Sequence, residues 1–285
     1  MHPRLSRLLP AALALGALGT LNACTEGSDP EPEAATTSAA LPPPVASPAP
    51  TPADDGCYRL SYEDALAPTT AGSKVPCGRT HTSQTFATGT LDAVVDGHLL
   101  AVDSTRVRDQ VATTCPDRLP EFLGGDEETM RLTMLRSVWF TPTLEQAAEG
   151  AQWYRCDVVA VTGGEQLADL DEPLDGVLAE DSSADPYAMC GTAAPDSEGF
   201  QRVLCGEEHS WRALNSVDLV AELDLTGDDP DYPGQDAVRE AGQDLCADAG
   251  EAVAEDALDF EWGYEWPDRR QWRAGQTYGL CWAPD

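Results

Sequence analysis

The stretch Val75-Pro76-Cys77-Gly78-Arg79-Thr80-His81-Thr82 returns further along the chain as Val203-Leu204-Cys205-Gly206-Glu207-Glu208-His209-Ser210. Valine, cysteine, glycine and histidine hold the same places in both stretches, and a hydroxyl residue follows each histidine. Self-similarity of this kind indicates an internal repeat, which has to be recognised before any fold is assigned. We therefore interpret the chain as two copies of one unit.

The cysteines divide in the same way. Apart from Cys24 they form two groups of four, namely Cys57, Cys77, Cys115 and Cys156, then Cys190, Cys205, Cys246 and Cys281. A proline and a glycine precede the last cysteine of each group at matching distances, Pro142 with Gly150 and Pro267 with Gly275. The pattern predicts a first copy over residues 56–162, an acidic connection over 163–185 and a second copy over 186–285.

Strands are predicted at equivalent places in the copies. Residues 258–266 alternate bulky apolar side chains with polar ones, which is the period of a half-buried strand, and residues 130–140 are their counterpart. Residues 153–161 and 278–282 are predicted to be the closing strands. Trp262, Tyr264 and Trp266 share one face of the alternating stretch, and core packing is the expected role of that face.

A helix is predicted to carry the third cysteine of each copy. Val107, Val111 and Cys115 lie four residues apart and therefore share one helical face. Val238 and Cys246 repeat the spacing between Val107 and Cys115.

Two prolines set the expected bounds of these helices. Pro116 is expected to end or bend the first helix early, and Pro233 to lie in the first turn of the second. The predicted fold class is α+β, with two tandem small disulfide-stapled domains, each a mainly antiparallel sheet with one helix.

The beginning of the chain has the features of an export signal. Arg4 and Arg7 precede a short apolar run, which describes a signal peptide over residues 1–23 rather than a membrane span. The run ends in Leu21-Asn22-Ala23-Cys24, which resembles the lipobox of bacterial lipoproteins and implies a diacylated Cys24. The alternative is an ordinary secretory signal followed by a chance cysteine.

The predicted anchor is followed by a tether. Residues 24–55 are rich in proline, alanine and threonine, so they offer too little apolar surface to fold and favour extended conformations. We expect the folded part to be held at the outer face of the cytoplasmic membrane by the lipid anchor.

Export places the remaining cysteines in an oxidising compartment, where they are expected to pair. Eight cysteines allow 105 connectivities, and the repeat favours pairs that stay within one copy. The hypothesis is four bonds: Cys57–Cys77, Cys115–Cys156, Cys190–Cys205 and Cys246–Cys281. Each bond is expected to contribute about 2–4 kcal/mol to stability.

The charge is strongly acidic. Fifty aspartates and glutamates face seventeen lysines and arginines, giving a formal net charge of −33. Nucleic acid and anionic lipid surfaces are therefore poor partners. The acidity can attract cations or basic proteins, but solubility is the simpler explanation.

The repeated phrase resembles the motif of the septum formation family of actinobacteria, which is close to Val-Pro-Cys-x-x-Pro-His-x-x-Gln-Val. The first copy matches this motif at Val75, Pro76, Cys77, His81 and Gln84, and the second at Val203, Cys205 and His209. Arg212 stands in the place of Gln84, and both copies lack the proline before histidine. Residues 170–178 resemble a Leu-x-Gly-x-Leu segment of the same family. The resemblance implies tandem copies of the family domain and a role in division, and it brings no shared enzymatic activity.

His81 and His209 are the repeated ionisable residues, and three interpretations apply to them. Each could ligate a metal with its neighbouring cysteine, or each could act as the general base of a hydrolase. The preferred interpretation is structural, with each imidazole capping a turn beside the first disulfide through a hydrogen bond to backbone. We predict no catalytic residue, no metal and no cofactor.

Two further features are candidates for binding. Trp272 and Trp282 lie in loop-like or terminal sequence, and if exposed together they could stack on sugars or on a partner protein. Residues 224–231 form an acidic loop that could take calcium, but the loop lacks the spacing of an EF-hand and is favoured as a solvated loop.

The function expected from the sequence is that of a lipid-anchored extracytoplasmic cell-envelope protein that binds or scaffolds, without being an enzyme. Its expected partners are the membrane through the anchor, envelope or division proteins, and cell-wall glycan, with no nucleic acid. The alternatives are a solute-binding or sensor lipoprotein, which needs a pocket between the copies, and an envelope hydrolase.

Overall fold

The computed structural model describes residues 51–70, 72–179, 186–227 and 229–285. The signal peptide predicted over residues 1–23, Cys24 and most of the predicted tether lie outside these residues. All the described residues belong to one compact unit. Within the described ranges, no helix is both long enough and apolar enough to cross a membrane.

The first half contains eight strands and four helices among its described residues. The strands are β1 (Cys57–Arg59), β2 (Ser73–Val75), β3 (Ser83–Thr90), β4 (Val94–Val95), β5 (His98–Leu99), β6 (Leu135–Phe140), β7 (Trp153–Thr162) and β8 (Gln166–Leu167). The helices are α1 (Tyr62–Leu66), α2 (Thr105–Leu123), α3 (Glu127–Leu132) and α4 (Leu144–Ala148).

The second half is shorter. Its described strands are β9 (Met189–Gly191), β10 (Arg202–Leu204), β11 (Trp211–Asp218), β12 (Gly263–Glu265) and β13 (Tyr278–Pro284). Its described helices are α5 (Leu219–Glu222), α6 (Gln235–Ala241), α7 (Gln243–Val253) and α8 (Arg269–Arg273). The structure is thus the predicted mixture of helices and antiparallel sheets.

The two main sheets have the same strand order. The first runs β2-β1-β3-β7-β6, with β8 attached to β7, and the second runs β10-β9-β11-β13-β12. The pairings within both sheets are antiparallel. The small hairpin β4-β5 belongs to the first half. The repeat read from the sequence therefore corresponds to a repeat of sheet topology.

The register repeats as well. The last cysteine of each half pairs with an aromatic residue of the edge strand, Cys156 with Trp139 and Cys281 with Tyr264. A β-bulge interrupts the inner pairing at the same place in both halves, just before Ala87 in β3 and its counterpart in β11. Bulges of this kind bend a strand and increase its twist.

The four disulfides are those of the pairing hypothesis. They join Cys57 to Cys77, Cys115 to Cys156, Cys190 to Cys205 and Cys246 to Cys281. The first and third close the β-turn region at the edge of each sheet. The second and fourth bind α2 to β7 and α7 to β13, so the main helix of each half is fixed to an inner strand of its sheet.

The matching proline and glycine positions have a structural role. α4 and α8 both begin with a capping box, in which the side chain of Thr143 or Asp268 accepts a hydrogen bond from a backbone N–H in the first turn. Each helix is followed by a glycine with positive φ, 98° at Gly150 and 95° at Gly275. Such a backbone conformation favours glycine because it has no Cβ.

The predicted fold class is confirmed, but each half contains further helices beside the one predicted, and Pro116 does not end its helix early. α2 continues through Pro116 and Pro120 to Leu123. The helix keeps a continuous buried face, formed by Val107, Val111, Cys115, Leu119 and Leu123. The packing of this face and the disulfide at Cys115 outweigh the local cost of the two prolines.

The helix of the second half is divided. α6 begins at Gln235 after the cap residue Gly234, so Pro233 precedes the helix instead of lying in its first turn. Gly242 separates α6 from α7. A Cβ added at Gly242 would lie 2.1 Å from the Tyr264 ring, and the Tyr264 hydroxyl donates to the carbonyl of Val238 at 2.8 Å. Glycine therefore permits the close approach of tyrosine to the helix.

The alternating stretch over residues 258–266 is a strand only at its end, in β12. Leu258 is 96 % exposed, and its N–H bonds the side chain of Asp256, which forms a turn there. In the counterpart, residues 130–140, a helix replaces the first part because Asp126 caps α3. Local side-chain capping outweighed the alternating pattern in both halves.

One hydrophobic core contains residues from both halves. It includes Leu135 and Val158 from the first sheet and Leu280 and Trp282 from the second. The predicted connection over residues 163–185 contributes three leucines to it, Leu170, Leu174 and Leu178. The described part of the connection is therefore anchored in this core by its leucines.

The proposed aromatic surface at Trp272 and Trp282 is contradicted. Trp272 is 3 % exposed and Trp282 is fully buried. The Trp272 Nε1 donates to the carbonyl of Pro230 at 2.7 Å, and its ring lies edge-on to Tyr232. Trp272 is in α8, so the sequence that resembled a loop is a short capped helix whose buried side is aromatic.

Trp272→Ala is expected to lower the free energy of unfolding by about 3–5 kcal/mol, because it removes a buried aromatic side chain and leaves a cavity. Chemical denaturation of the full chain measures this. Trp272→Phe retains most of the apolar volume and should cost less than the alanine variant. A loss below about 1 kcal/mol for Trp272→Ala would contradict the buried position of this side chain.

Candidate functional site

The two histidines of the repeated phrase occupy equivalent turns beside the first disulfide of each half. The His81 Nδ1 lies 2.8 Å from the carbonyl oxygen of Arg79, and the His209 Nδ1 lies 2.7 Å from that of Glu207. A carbonyl only accepts, so Nδ1 is the protonated nitrogen in both. This is the backbone hydrogen bond that the sequence predicts. The backbone of His81 also exchanges two hydrogen bonds with Leu170, at 2.9 and 2.7 Å.

The other ring nitrogen differs between the halves. His81 is fully buried, and among the described atoms its Nε2 has no hydrogen-bond partner. The His209 side chain is 19 % exposed, and its Nε2 lies 3.0 Å from Asp285 Oδ2. The same carboxylate oxygen accepts from Arg212 Nε at 2.7 Å. The second half therefore has a charged cluster where the first has a buried imidazole nitrogen without a hydrogen-bond partner among the described atoms.

Gln84 and Arg212 stand at equivalent positions, since each pairs with the first cysteine of its half. Gln84 is buried, and its Oε1 accepts a hydrogen bond from the N–H of Leu174 at 2.8 Å. This bond attaches the connection to the first sheet. Gln84, the residue that matches the family motif, thus links the connection to the first sheet inside the protein. Arg212 instead forms an ion pair with Asp285 at the surface.

The structure contains a buried ionic cluster that the sequence analysis missed. Asp157 is fully buried, and its carboxylate accepts from Ser83 Oγ at 2.6 Å and Thr85 Oγ1 at 2.8 Å. An Arg155 amino group donates to it at 2.9 Å. The guanidinium lies 3.9 Å from the centre of the Tyr58 ring, a cation–π contact. The only sequence signal is the pair of opposite charges two apart in β7.

This cluster belongs to the first half alone. Burial raises the pKa of Asp157, and the guanidinium of Arg155 and the two hydroxyl groups oppose that rise. In the second sheet the pairing that matches Thr85 with Asp157 joins Ala213 to Trp282. The halves therefore have the same backbone arrangement with a polar interior in one and an apolar interior in the other.

The hydrolase alternative requires a nucleophile beside one of the imidazoles. Ser210 Oγ donates to the carbonyl of Thr192 at 3.0 Å, and Ser83 Oγ donates to Asp157. In the part of the chain that the structure describes, no hydroxyl group bonds to His81 or His209.

The metal alternative requires free thiolates. Cys77 and Cys205 are both in disulfides. Across the described ranges the one grouping with metal-ligand spacing is Cys190, His209 and Asp285, whose ligand atoms lie within 4.8 Å of one another. Cys190 is also disulfide-bonded, and Arg212 supplies a positive charge to the carboxylate. The acidic loop over residues 224–231 includes residue 228, which lies outside the described residues.

Asp157→Asn is expected to lower the free energy of unfolding by about 3–5 kcal/mol, because it leaves the Arg155 charge buried without its partner. Denaturant unfolding at neutral pH measures the loss. The double variant Arg155→Met/Asp157→Leu gives this site the apolar character of the second half, and it should lose less than the single variant. A single variant within about 1 kcal/mol of wild type would contradict the importance of the pair.

Asp285→Asn is expected to lower stability by about 0.5–1 kcal/mol at pH 7, as for other exposed ion pairs. Burial raises the pKa of Asp285, but the bonds and charges of Arg212 and His209 outweigh it and the net pKa is lowered. The carboxylate therefore stabilises the fold above the unfolded pKa of about 3.9, and the difference from wild type should shrink below that pH.

The control for this variant is Asp117→Asn, an exposed residue of α2. It removes the same charge without breaking an ion pair. Thermal unfolding between pH 3 and 7 should show a pH-dependent difference for Asp285→Asn and none for Asp117→Asn. Equal behaviour of the two variants would mean that the Asp285 pair adds nothing to stability.

Comparisons with known proteins complete the description of the site. A family model described as septum formation matches residues 57–281, from the first paired cysteine to the last. Neither a curated protein nor a solved structure matches the chain. The match spans both halves and most of the sequence, and the chain therefore belongs to the septum formation family.

Proposed function

We propose that the protein is a lipid-anchored extracytoplasmic envelope protein of an actinobacterium that binds or scaffolds during septum formation. The observation that carries the proposal is the family match over residues 57–281. The match is consistent with a role at the septum. The lipid anchor and the binding role are supported by the sequence, the disulfides and the contacts of the two histidines.

The sequence and the disulfides support an extracytoplasmic position. Residues 1–23 have the features of a signal peptide, and Cys24 stands where a lipobox places the acylated cysteine. The folded part has four disulfides. Disulfides persist in oxidising compartments and are rare in cytosolic proteins. The proline-rich residues that follow Cys24 suit a tether that separates the folded part from the bilayer. Two acyl chains make such an anchoring stable.

Binding is a better account than catalysis. Both repeated imidazoles bond to backbone carbonyls through Nδ1, and Gln84 bonds to the N–H of Leu174. These contacts stabilise turns, and the unpartnered Nε2 of His81 is buried. The partners we propose are envelope or division proteins, or cell-wall glycan. We also propose that the halves arose by duplication of one unit, because strand order, register and disulfides recur in them.

A solute-binding or sensor role is the second candidate, and one feature favours it. A cavity of about 430 Å³ lies where the first sheet meets the second half. It is lined by residues of β6, of the turn between β7 and β8, and of β10. Solute-binding sites are commonly found at such junctions.

The septal role predicts enrichment of the tagged full-length protein at the division site. The tag has to be fluorescent outside the membrane, and imaging of dividing cells gives the ratio of septal to lateral signal. Cys24→Ala removes the acylation site and should make the signal diffuse or lose it from the membrane fraction, without changing the folded residues. An even envelope distribution of the wild-type protein would overturn the septal role and leave the solute-binding candidate.

The lipid anchor is tested separately in the same cells. Wild-type protein should sediment with membranes, and Cys24→Ala should not. If both sediment equally, the chain is held by something other than the proposed acyl groups.

A further inference from the structure

The junction of the two halves encloses an arginine without an acidic partner. Arg136 is in β6, and its side chain lines the cavity between the halves. One amino group of its guanidinium donates to the carbonyls of Thr133 at 2.5 Å and Leu135 at 2.7 Å. Among the described residues, no carboxylate lies within ion-pair distance of it. The two carbonyls fix the orientation of the guanidinium and leave its charge uncompensated.

Several exposed arginines also lack an ion pair, but among the described arginines that are buried or half-buried the lack of one is unusual. Fifty acidic residues face seventeen basic ones, so an arginine has many carboxylates from which to find a partner. The half-buried arginines around the junction illustrate this: Arg131 pairs with Asp218 and Arg202 with Glu265. A half-buried charge that stays unpaired in such a sequence is costly. The simplest explanation for this unpaired charge is that it binds a negative group that is not part of the chain.

A second guanidinium lies near the first. Arg202 of β10 lines the same cavity, and it donates to Glu265 at 3.2 Å from Nε and 2.7 Å from an amino group. Burial lowers the pKa of Arg136, the nearby Tyr278 opposes that change, and repulsion from Arg202 adds to it. Arginine remains charged even so. Glu265 pairs with Arg202, and Glu165 also lines the cavity, so among the described residues Arg136 is the guanidinium of this lining that has no carboxylate within ion-pair distance.

The turn between β7 and β8 contributes Gly163, Gly164 and Glu165 to the lining. Gly164 has a φ of 71° and Glu165 a φ of 57°. Glu165 brings an acidic side chain to the same lining as Arg136 and Arg202. Such a lining suits a ligand that carries both an anionic group and a hydrogen-bond donor.

We propose that this cavity binds a small solute bearing a carboxylate or phosphate group, with Arg136 as the residue that receives the anionic group. A guanidinium offers a planar fork of donors that fits either group. The proposal deepens the solute-binding candidate and does not depend on the septal role. A protein that localises to the septum but binds no anion would refute the site alone, and the reverse result would refute the septal role alone.

The test is an anion titration of the full chain, purified in detergent and followed by ¹H–¹⁵N NMR. Sodium phosphate and sodium N-acetylglycinate are the two probes, each compared with sodium chloride at the same ionic strength. The amides of Gly163 and Gly164 line the cavity and report on its occupation. We expect saturable shifts of these amides with at least one probe, and the probe that binds distinguishes a phosphate from a carboxylate ligand.

Two variants separate this site from general charge effects. Arg136→Gln should weaken the binding at least 10-fold, which corresponds to about 1.4 kcal/mol. Arg118→Gln removes the same charge from the exposed face of α2 and should bind like wild type. If Arg136→Gln does not fold, Arg136→Lys retains the charge without the fork and should bind more weakly than wild type.

Two results would overturn the proposal. One is the absence of a saturable response of the wild-type protein to both probes. The other is binding by the folded Arg136 variant with the affinity of wild type.

Discussion

In each half a disulfide fixes the main helix to an inner strand of the sheet, and the other elements are arranged about this bond. Cys156 lies in β7 and Cys281 in β13, and each strand has a neighbour on both sides. The bond lies next to a β-bulge of the neighbouring strand. A shift of one residue in register would turn the cysteine to the opposite face and separate it from the helix. The bond, the bulge and the aromatic residue opposite the cysteine therefore depend on one another.

The two halves have the same backbone arrangement but different buried side chains. In the first half β7 buries an ion pair between Arg155 and Asp157, supported by two hydroxyl groups. In the second half Trp282 occupies the place of the aspartate and packs edge-on against Phe200. Replacing a buried ion pair by apolar residues is often neutral for stability, while losing one partner is not. Divergence between the halves therefore requires several coordinated substitutions, and this explains how the halves can share one topology without being interchangeable.

Features that depend on one type of residue recurring at a fixed spacing could be predicted from the sequence. The cysteine pairs, the buried face of α2 at Val107, Val111 and Cys115, and the backbone contacts of the two histidines belong to this class. Features decided by competition between local and distant contacts could not. Trp272 is buried because Pro230 and Tyr232, far from it in the chain, close over it. Residues 258–262 have a strand pattern but follow the turn that Asp256 caps. The buried carboxylate of Asp157 gave no signal beyond an alternation of charge.

The proposed binding cavity lies at the junction of the two halves. The halves are joined by the leucines of the connection and by contacts of α3 with β11, including the ion pair of Arg131 with Asp218. The cavity with Arg136 lies beside these contacts and is lined by residues of both halves. A surface of net charge −33 repels anions at long range. At physiological ionic strength this field is screened beyond about 8 Å, so a small anion that reaches the cavity interacts chiefly with the nearby guanidinium groups. The acidic surface then selects against large polyanions, while the enclosed arginine remains accessible to compact ones.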